Sequence, residues 1–138
     1  MIRLSRLSDY AIAILCEMAA KNTETLSANY LSERTHISES TVMKVLKLLT
    51  KHNILISSRG TKGGYRMEKD PKNITVLDVI CAIDGPVTLT HCSGSHTPLC
   101  EYEPTCLARQ GWGRVNEALA HTLSQFSLQD IKGSSYVA

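Results

Sequence analysis

The stretch from Ser38 to Glu68 constrains the fold more than any other part of this chain. Val42, Val45, Leu46 and Leu49 recur at i, i+3, i+4 and i+7, which places four apolar side chains on one face of a helix. Two short β-type segments follow, Ile54 to Ser58 and Tyr65 to Glu68, separated by residues 59–64 with the sequence Arg-Gly-Thr-Lys-Gly-Gly. Three glycines in six residues permit the positive backbone angles of a tight hairpin, and Arg59, Lys62 and Arg66 put charge on and beside it. An amphipathic helix followed by a basic, glycine-rich hairpin has the shape of a recognition helix and its wing.

The segments on either side complete that reading. Ser8 and Asp9 are expected to cap a first helix that runs to about Ala20, with Ile12, Leu15 and Ala19 on one face. Residues 21–25 form a polar break. A second short helix begins after Leu26, capped by Ser27 and turning Ala28 and Leu31 inward; residues 35–38 then turn the chain, and Ser38 caps the third helix. Beyond the hairpin, Asp70 and Pro71 end the wing, Thr75 caps a fourth helix from Val76 to Ile83, and Gly85 and Pro86 stop it. Residues 88–105 carry no useful periodicity. A final helix is expected from about Leu107 to Gln125, with Val115, Leu119, Leu123 and Phe126 in a narrow stripe that a partner subunit buries more easily than the chain's own domain. Gly111 and Gly113 weaken its start by about 1 kcal/mol each. The expected fold is mostly α: a winged helix-turn-helix domain over residues 1–86, a cysteine-bearing loop over 87–106, and a dimerisation helix with a C-terminal tail over 107–138.

At 138 residues the chain suits one small domain with an oligomerisation element. No apolar run approaches the roughly 20 residues that span a bilayer, and Asp9 and Glu17 interrupt the apolar start, so a cytoplasmic protein with no membrane partner is expected. The net charge of +2 conceals an asymmetry: residues 1–72 hold 12 Lys and Arg against 7 Asp and Glu, residues 73–138 hold 3 against 6. A basic front half suits a chain that presents one end to a polyanion.

The early residues of a recognition helix enter the major groove, while wing residues and later lysines meet phosphate. Ser40, Thr41 and Lys44 are therefore the candidates for base edges, because hydroxyls donate or accept and a lysine suits guanine O6 and N7. Lys47 and Lys51 fall further along, toward phosphate, and Arg59 and Lys62 sit on the wing. The sequence holds no nucleophile–base constellation and no phosphate loop, so neither an enzyme nor a small-molecule substrate is expected.

Of five cysteines, Cys16 and Cys81 lie in apolar helical patterns, where a cysteine acts as a small buried hydrophobe. Cys92, Cys100 and Cys106 are different: they share one irregular stretch with the spacing C-x7-C-x5-C. In a reducing compartment a disulfide framework is not expected. Thiolates at these intervals can hold zinc, a 2Fe-2S or 4Fe-4S cluster, or serve as a thiol switch. Neither gap is the short knuckle that structural zinc favours, and three cysteines leave one coordination position for another residue. A structural zinc or electron-transfer protein is the reading from a different class.

The opening LSRLSDYAI, the wing SRGTKGGYRM, the segment ITVLDVICAIDGPV, the three cysteines and the Trp112 helix together resemble the Rrf2 family of bacterial regulators, of the IscR and NsrR type. The GPVTLTHC run is most similar to the branch that regulates the SUF iron-sulfur assembly system. The resemblance covers nearly the whole chain. It implies a homodimeric winged-helix repressor that binds a palindromic double-stranded operator, crossed through its long C-terminal helix, with Cys92, Cys100 and Cys106 holding an iron-sulfur cluster. One branch places a histidine three residues after the last cysteine, where this chain has Arg109, which cannot coordinate iron. Another uses an aspartate near the start of the first helix, a place matched by Asp9, which the crossed dimer would supply from the opposite subunit. Asp9 equally suits a role in favouring its helix dipole, and His91 and His96 inside the loop are further candidates. The x7 gap is longer than the x5 of the family. A nitric-oxide-sensing or redox-sensing repressor is the related alternative.

Overall fold

The computed structural model describes residues 2–21, 24–93 and 100–133. Helices α1 (Arg6–Ala20), α2 (Ala28–Thr35) and α3 (Glu39–Lys51) lead into an antiparallel hairpin of β1 (Leu55–Ser58) and β2 (Gly64–Met67). Helix α4 (Val76–Asp84), the long α5 (Arg109–Ser124) and the short α6 (Leu128–Lys132) follow. Short 3-10 turns at Pro71–Asn73, His91–Ser93 and Glu103–Thr105 punctuate the connections.

Helix α1 starts earlier than its sequence suggests. Ser5 is the N-cap, and its side chain accepts from the Ser8 N–H at 3.0 Å. Ser8 therefore lies inside the helix, fully buried, and its hydroxyl donates to Asp84 Oδ2 at 2.7 Å across to the end of α4. The buried face of α1 is Ala11, Ile14, Leu15 and Met18, with Ile12 and Ala19 at its edge. That face meets Leu31 of α2 and the predicted stripe of α3, Val42, Val45, Leu46 and Leu49, all at 0% exposure. Burying four such side chains supplies on the order of 1.5–3 kcal/mol each before entropy is counted.

The hairpin pairs Leu55 with Met67, Ile56 with Arg66, Ser57 with Tyr65 and Ser58 with Gly64. Leu55 and Met67 enter the core at its base. Leu26, just ahead of α2, adds one rung on the far side of β2: its N–H donates to the Tyr65 carbonyl and its carbonyl accepts from the Tyr65 N–H, both at 2.8 Å. That close approach explains Gly64, which sits at φ +152°; a Cβ there would stand 2.5 Å from the Leu26 carbonyl oxygen.

Thr75 opens α4 with a reciprocal capping box to Asp78, and Gly85 ends it at φ +86°. Helix α5 has no buried residue; Trp112, Val115 and Phe126 are exposed, and Leu119 and Leu123 half-buried. The stretch expected to be tail beyond α5 instead returns to the domain. The Val76 N–H donates to the Phe126 carbonyl at 2.9 Å and the Leu128 N–H to the Ile74 carbonyl at 2.8 Å. Ser127 and Asp130 form a second capping box that starts α6, which packs on α1 and seats Leu128 in the core at 1% exposure.

Because Leu128 fills core volume, Leu128→Ala is expected to cost about 2–4 kcal/mol, read as a lowered urea midpoint with an unchanged slope. The Ser127 hydroxyl, then its N–H, hold the Asp130 carboxyl below the usual carboxylate range. A depressed folded value contributes stability above the unfolded value of roughly 3.9 that is lost as pH falls through the folded one. Denaturation midpoints followed from pH 7 to about pH 3 should therefore fall more steeply in the native chain than in Asp130→Asn.

Candidate functional site

The end that the sequence pattern assigns to DNA is built by α2, the turn after it, α3 and the hairpin. Ser27 caps α2 by accepting from the Tyr30 N–H at 3.1 Å, and His36 stops it in the left-handed region at φ 57°. The Ser32 hydroxyl donates to the Ile37 carbonyl at 2.6 Å, fixing the turn. Arg34 Nε lies 2.8 Å from Glu17 Oε1, tying α2 to α1 at the surface. The Glu17 hydrogen bond and charge raise the Arg34 pKa above its ordinary value.

Ser38 occupies the N-cap of α3, but its hydroxyl does not accept from the first turn. It donates instead to Thr41 Oγ1 at 2.8 Å. That bond leaves the half-buried Thr41 hydroxyl with its own proton to give. Ser40, Lys44 and Lys47 are exposed on the outward face with Met43 and Lys51. Arg59 and Lys62 are exposed at the hairpin tip, where Gly60 turns the chain at φ 106° and its carbonyl accepts the Gly63 N–H at 2.9 Å. The fold thus places Ser40, Thr41, Lys44 and Lys47 on α3 and Arg59 and Lys62 on the hairpin, with Thr41 half-buried and the other five exposed.

The cysteine loop leaves α4 at Gly85 and runs to α5. Asn116 of α5 grips its first part, accepting the Leu89 N–H on Oδ1 at 3.0 Å and donating Nδ2–H to the Val87 carbonyl at 2.8 Å. Thr90 Oγ1 lies 3.2 Å from Cys92 Sγ and 2.7 Å from Ser93 Oγ. Cys92 sits in the 3-10 turn His91–Ser93, and Cys106 follows the 3-10 turn Glu103–Thr105. Cys92, Cys100 and Cys106 are free and half-buried. Among the described residues no group of three or more His, Cys, Asp or Glu side chains is gathered to hold a metal ion. The donor chemistry fits an iron-sulfur cluster, since three free thiols share one loop, although no closed ligand set is in place among these residues. Asp9 is exposed in the first turn of α1, and His91 is exposed at the loop; His96 lies outside the described residues.

Cys16 and Cys81 are half-buried rather than fully enclosed. Burial pushes the Cys16 thiol up, partly offset by Lys132 of α6, so it stays protonated and packs against the core. Cys81 lines a shallow cleft with His52, Lys69 and Asp78.

A recognition helix, a basic wing and a cysteine loop carried between α4 and α5 are the parts of one known architecture. A family model for Rrf2, described as an iron-dependent transcriptional regulator, matches residues 4–133. The chain belongs to the Rrf2 family. Its Rrf2 relatives include the HTH-type transcriptional regulator IscR of Photorhabdus laumondii, 30% identical over 137 residues, covering 99% of this chain and 82% of that one. NsrR of Bacillus licheniformis is 28% identical over 131 residues, covering 94% and 92%. Among solved structures, CymR, the global cysteine regulator of B. subtilis, superposes with a TM-score of 0.73 at 24% identity over the full length of both chains. T. potens IscR gives 0.67 at 20% identity over 94% of this chain and 85% of that one. The protein is therefore a DNA-binding Rrf2 transcriptional regulator with a winged-helix fold, of a type whose members are not enzymes. No helix among the described residues is long and apolar enough to cross a membrane.

For this Rrf2 chain, Arg59→Ala is expected to weaken operator and non-operator DNA alike and to flatten the log K against log salt slope by about one charge. Lys44→Ala should instead cost about 1–3 kcal/mol at selected base pairs and relax specificity there. Salt-titrated binding to an operator panel separates the two.

Proposed function

We propose that this Rrf2 protein is an iron-sulfur-dependent repressor that binds a palindromic operator as a homodimer and controls iron-sulfur assembly genes of the SUF type. The observation that carries this reading is the loop itself: three free, half-buried thiols held between α4, which closes the DNA-binding core, and α5, whose Trp112 and Val115 are left exposed. Cys92, Cys100 and Cys106 would hold the cluster, and Asp9 of the opposite subunit would supply the fourth ligand. A 2Fe-2S or 4Fe-4S cluster supplies a centre that responds to iron supply, oxidants and nitric oxide.

The protein's own residues do the rest. Trp112, Val115, Leu119, Leu123 and Phe126 supply the apolar stripe through which two α5 helices pair. Pairing sets the distance between two copies of α3, and half-sites one helical turn or a multiple apart accept only the matching distance. Ser40, Thr41 and Lys44 then meet base edges while Lys47, Arg59 and Lys62 meet phosphate or the minor groove. A shift in the loop that alters α5 pairing changes operator affinity through that distance.

The NsrR relative and the position of Asp9 favour a second reading, in which nitric oxide rather than iron supply is the signal. Anaerobic purification with iron, acid-labile sulfide and zinc analysis tests the first reading. Iron and sulfide in the native chain, absent from Cys92→Ser and altered in Asp9→Ala, are expected. Zinc or no metal after anaerobic reconstitution would remove the cluster from the account. Release of the operator by stoichiometric nitric oxide would select the second reading.

A further inference from the structure

The amide of Asn116, on α5, bridges the segment that leads into the cysteine loop. It completes a two-bond clamp, accepting from the Leu89 N–H at 3.0 Å and donating to the Val87 carbonyl at 2.8 Å, as a neighbouring strand would. A side-chain amide can do this because it carries an acceptor and a donor side by side. The segment needs such a partner: residues 87–90 are half-buried and belong to no helix or strand, so their backbone groups have no ladder to join. The residue after Leu89 is Thr90, whose hydroxyl reaches both Cys92 Sγ at 3.2 Å and Ser93 Oγ at 2.7 Å. A path of two hydrogen bonds joined by the Leu89–Thr90 peptide link thus runs from α5 to the first loop thiol.

We infer that Asn116 is a positioning residue for Cys92, holding residues 87–90 so that the Thr90 hydroxyl meets the sulfur and so that any movement of the loop is passed to α5. The inference deepens the reading of the loop as a cluster-bearing switch, and rests on it where a cluster is concerned; the clamp itself stands on the geometry alone. Asn116 sits between Val115 and Glu117, on the same turn as part of the exposed apolar stripe. A pull on Val87 and Leu89 is therefore delivered to the stretch of α5 that two copies would share. The Thr90 hydroxyl also covers one side of the Cys92 sulfur, so its displacement opens that thiol to reagents.

The test uses the full chain as Asn116→Ala, as Asn116→Asp, which keeps an acceptor for Leu89 and loses the donor to Val87, and as Glu117→Ala, an exposed neighbour on the same helix. Hydrogen exchange of the apo protein is read residue by residue, with the alkylation rate of Cys92 measured by peptide mass spectrometry. Asn116→Ala is expected to speed exchange at Leu89 by tenfold or more and Cys92 alkylation several-fold, with Asp intermediate, Glu117→Ala unchanged, and α1 to α4 as protected as before. After anaerobic loading with ferrous iron and sulfide, the visible absorbance of Asn116→Ala should decay several-fold faster under a chelator than that of the native chain. Unchanged exchange at Leu89 and unchanged alkylation at Cys92 would overturn the assignment, as would loosening spread evenly over α1 to α4. A native chain that takes up no iron defeats the cluster reading alone, because the exchange and alkylation arms are run without metal and still decide the clamp.

Discussion

The burial of one face of α3 is the constraint from which the rest of the structure follows. Val42, Val45, Leu46 and Leu49 are fully enclosed by α1, α2 and the base of the hairpin, and a helix pinned along four consecutive contacts cannot rotate about its axis. Its opposite face is then determined: Ser40, Lys44 and Lys47 must point outward. A DNA-reading surface needs side chains held to within a fraction of an ångström, and here the hydrophobic core provides that rigidity. The wing is fixed by the same core through Leu55 and Met67, and by the single rung between Leu26 and Tyr65.

The second half of the chain is organised around a different economy. Residues 74–76 and 126–128 pair through two backbone hydrogen bonds, closing a loop of about fifty residues onto the DNA-binding domain. Inside that loop lie α4, which buries Val76, Val79, Ile80 and Ala82, the cysteine segment, and α5, which has no buried residue. Among the described residues, Asn116 and the Ser8–Asp84 bond tie this stretch to its neighbours by side-chain hydrogen bonds. Low local density of apolar contacts is what allows part of a domain to change conformation while the remainder stays folded.

Much of this was legible in the residues. The i, i+3, i+4, i+7 pattern of α3, the glycines of the hairpin and the Thr75 cap each report a local physical requirement, and the observed α3, wing and α4 agree with the expected ones to within one or two residues. Other features were hidden because they depend on residues far apart in sequence. Ser8 resembles a cap, yet it is a buried donor to Asp84, 76 positions away. Leu26 gives no strand signal because one rung has no periodicity. Helix α6 is announced only by Ser127 and Asp130 at capping-box spacing, and that five-residue helix is far too short to be stable without the site into which Leu128 fits.

What the sequence alone determined is local chemistry: which faces are apolar, where helices begin, where glycine frees the backbone, and that three thiols share one segment. Only the tertiary structure decided which polar groups meet. It placed Asn116 against Val87 and Leu89, Ser8 against Asp84, and Ser127 beside Thr75. The physical reason is range. Periodicity and capping arise from neighbours within a turn or two of helix, whereas a hydrogen bond between distant residues exists only once the core has brought their elements together.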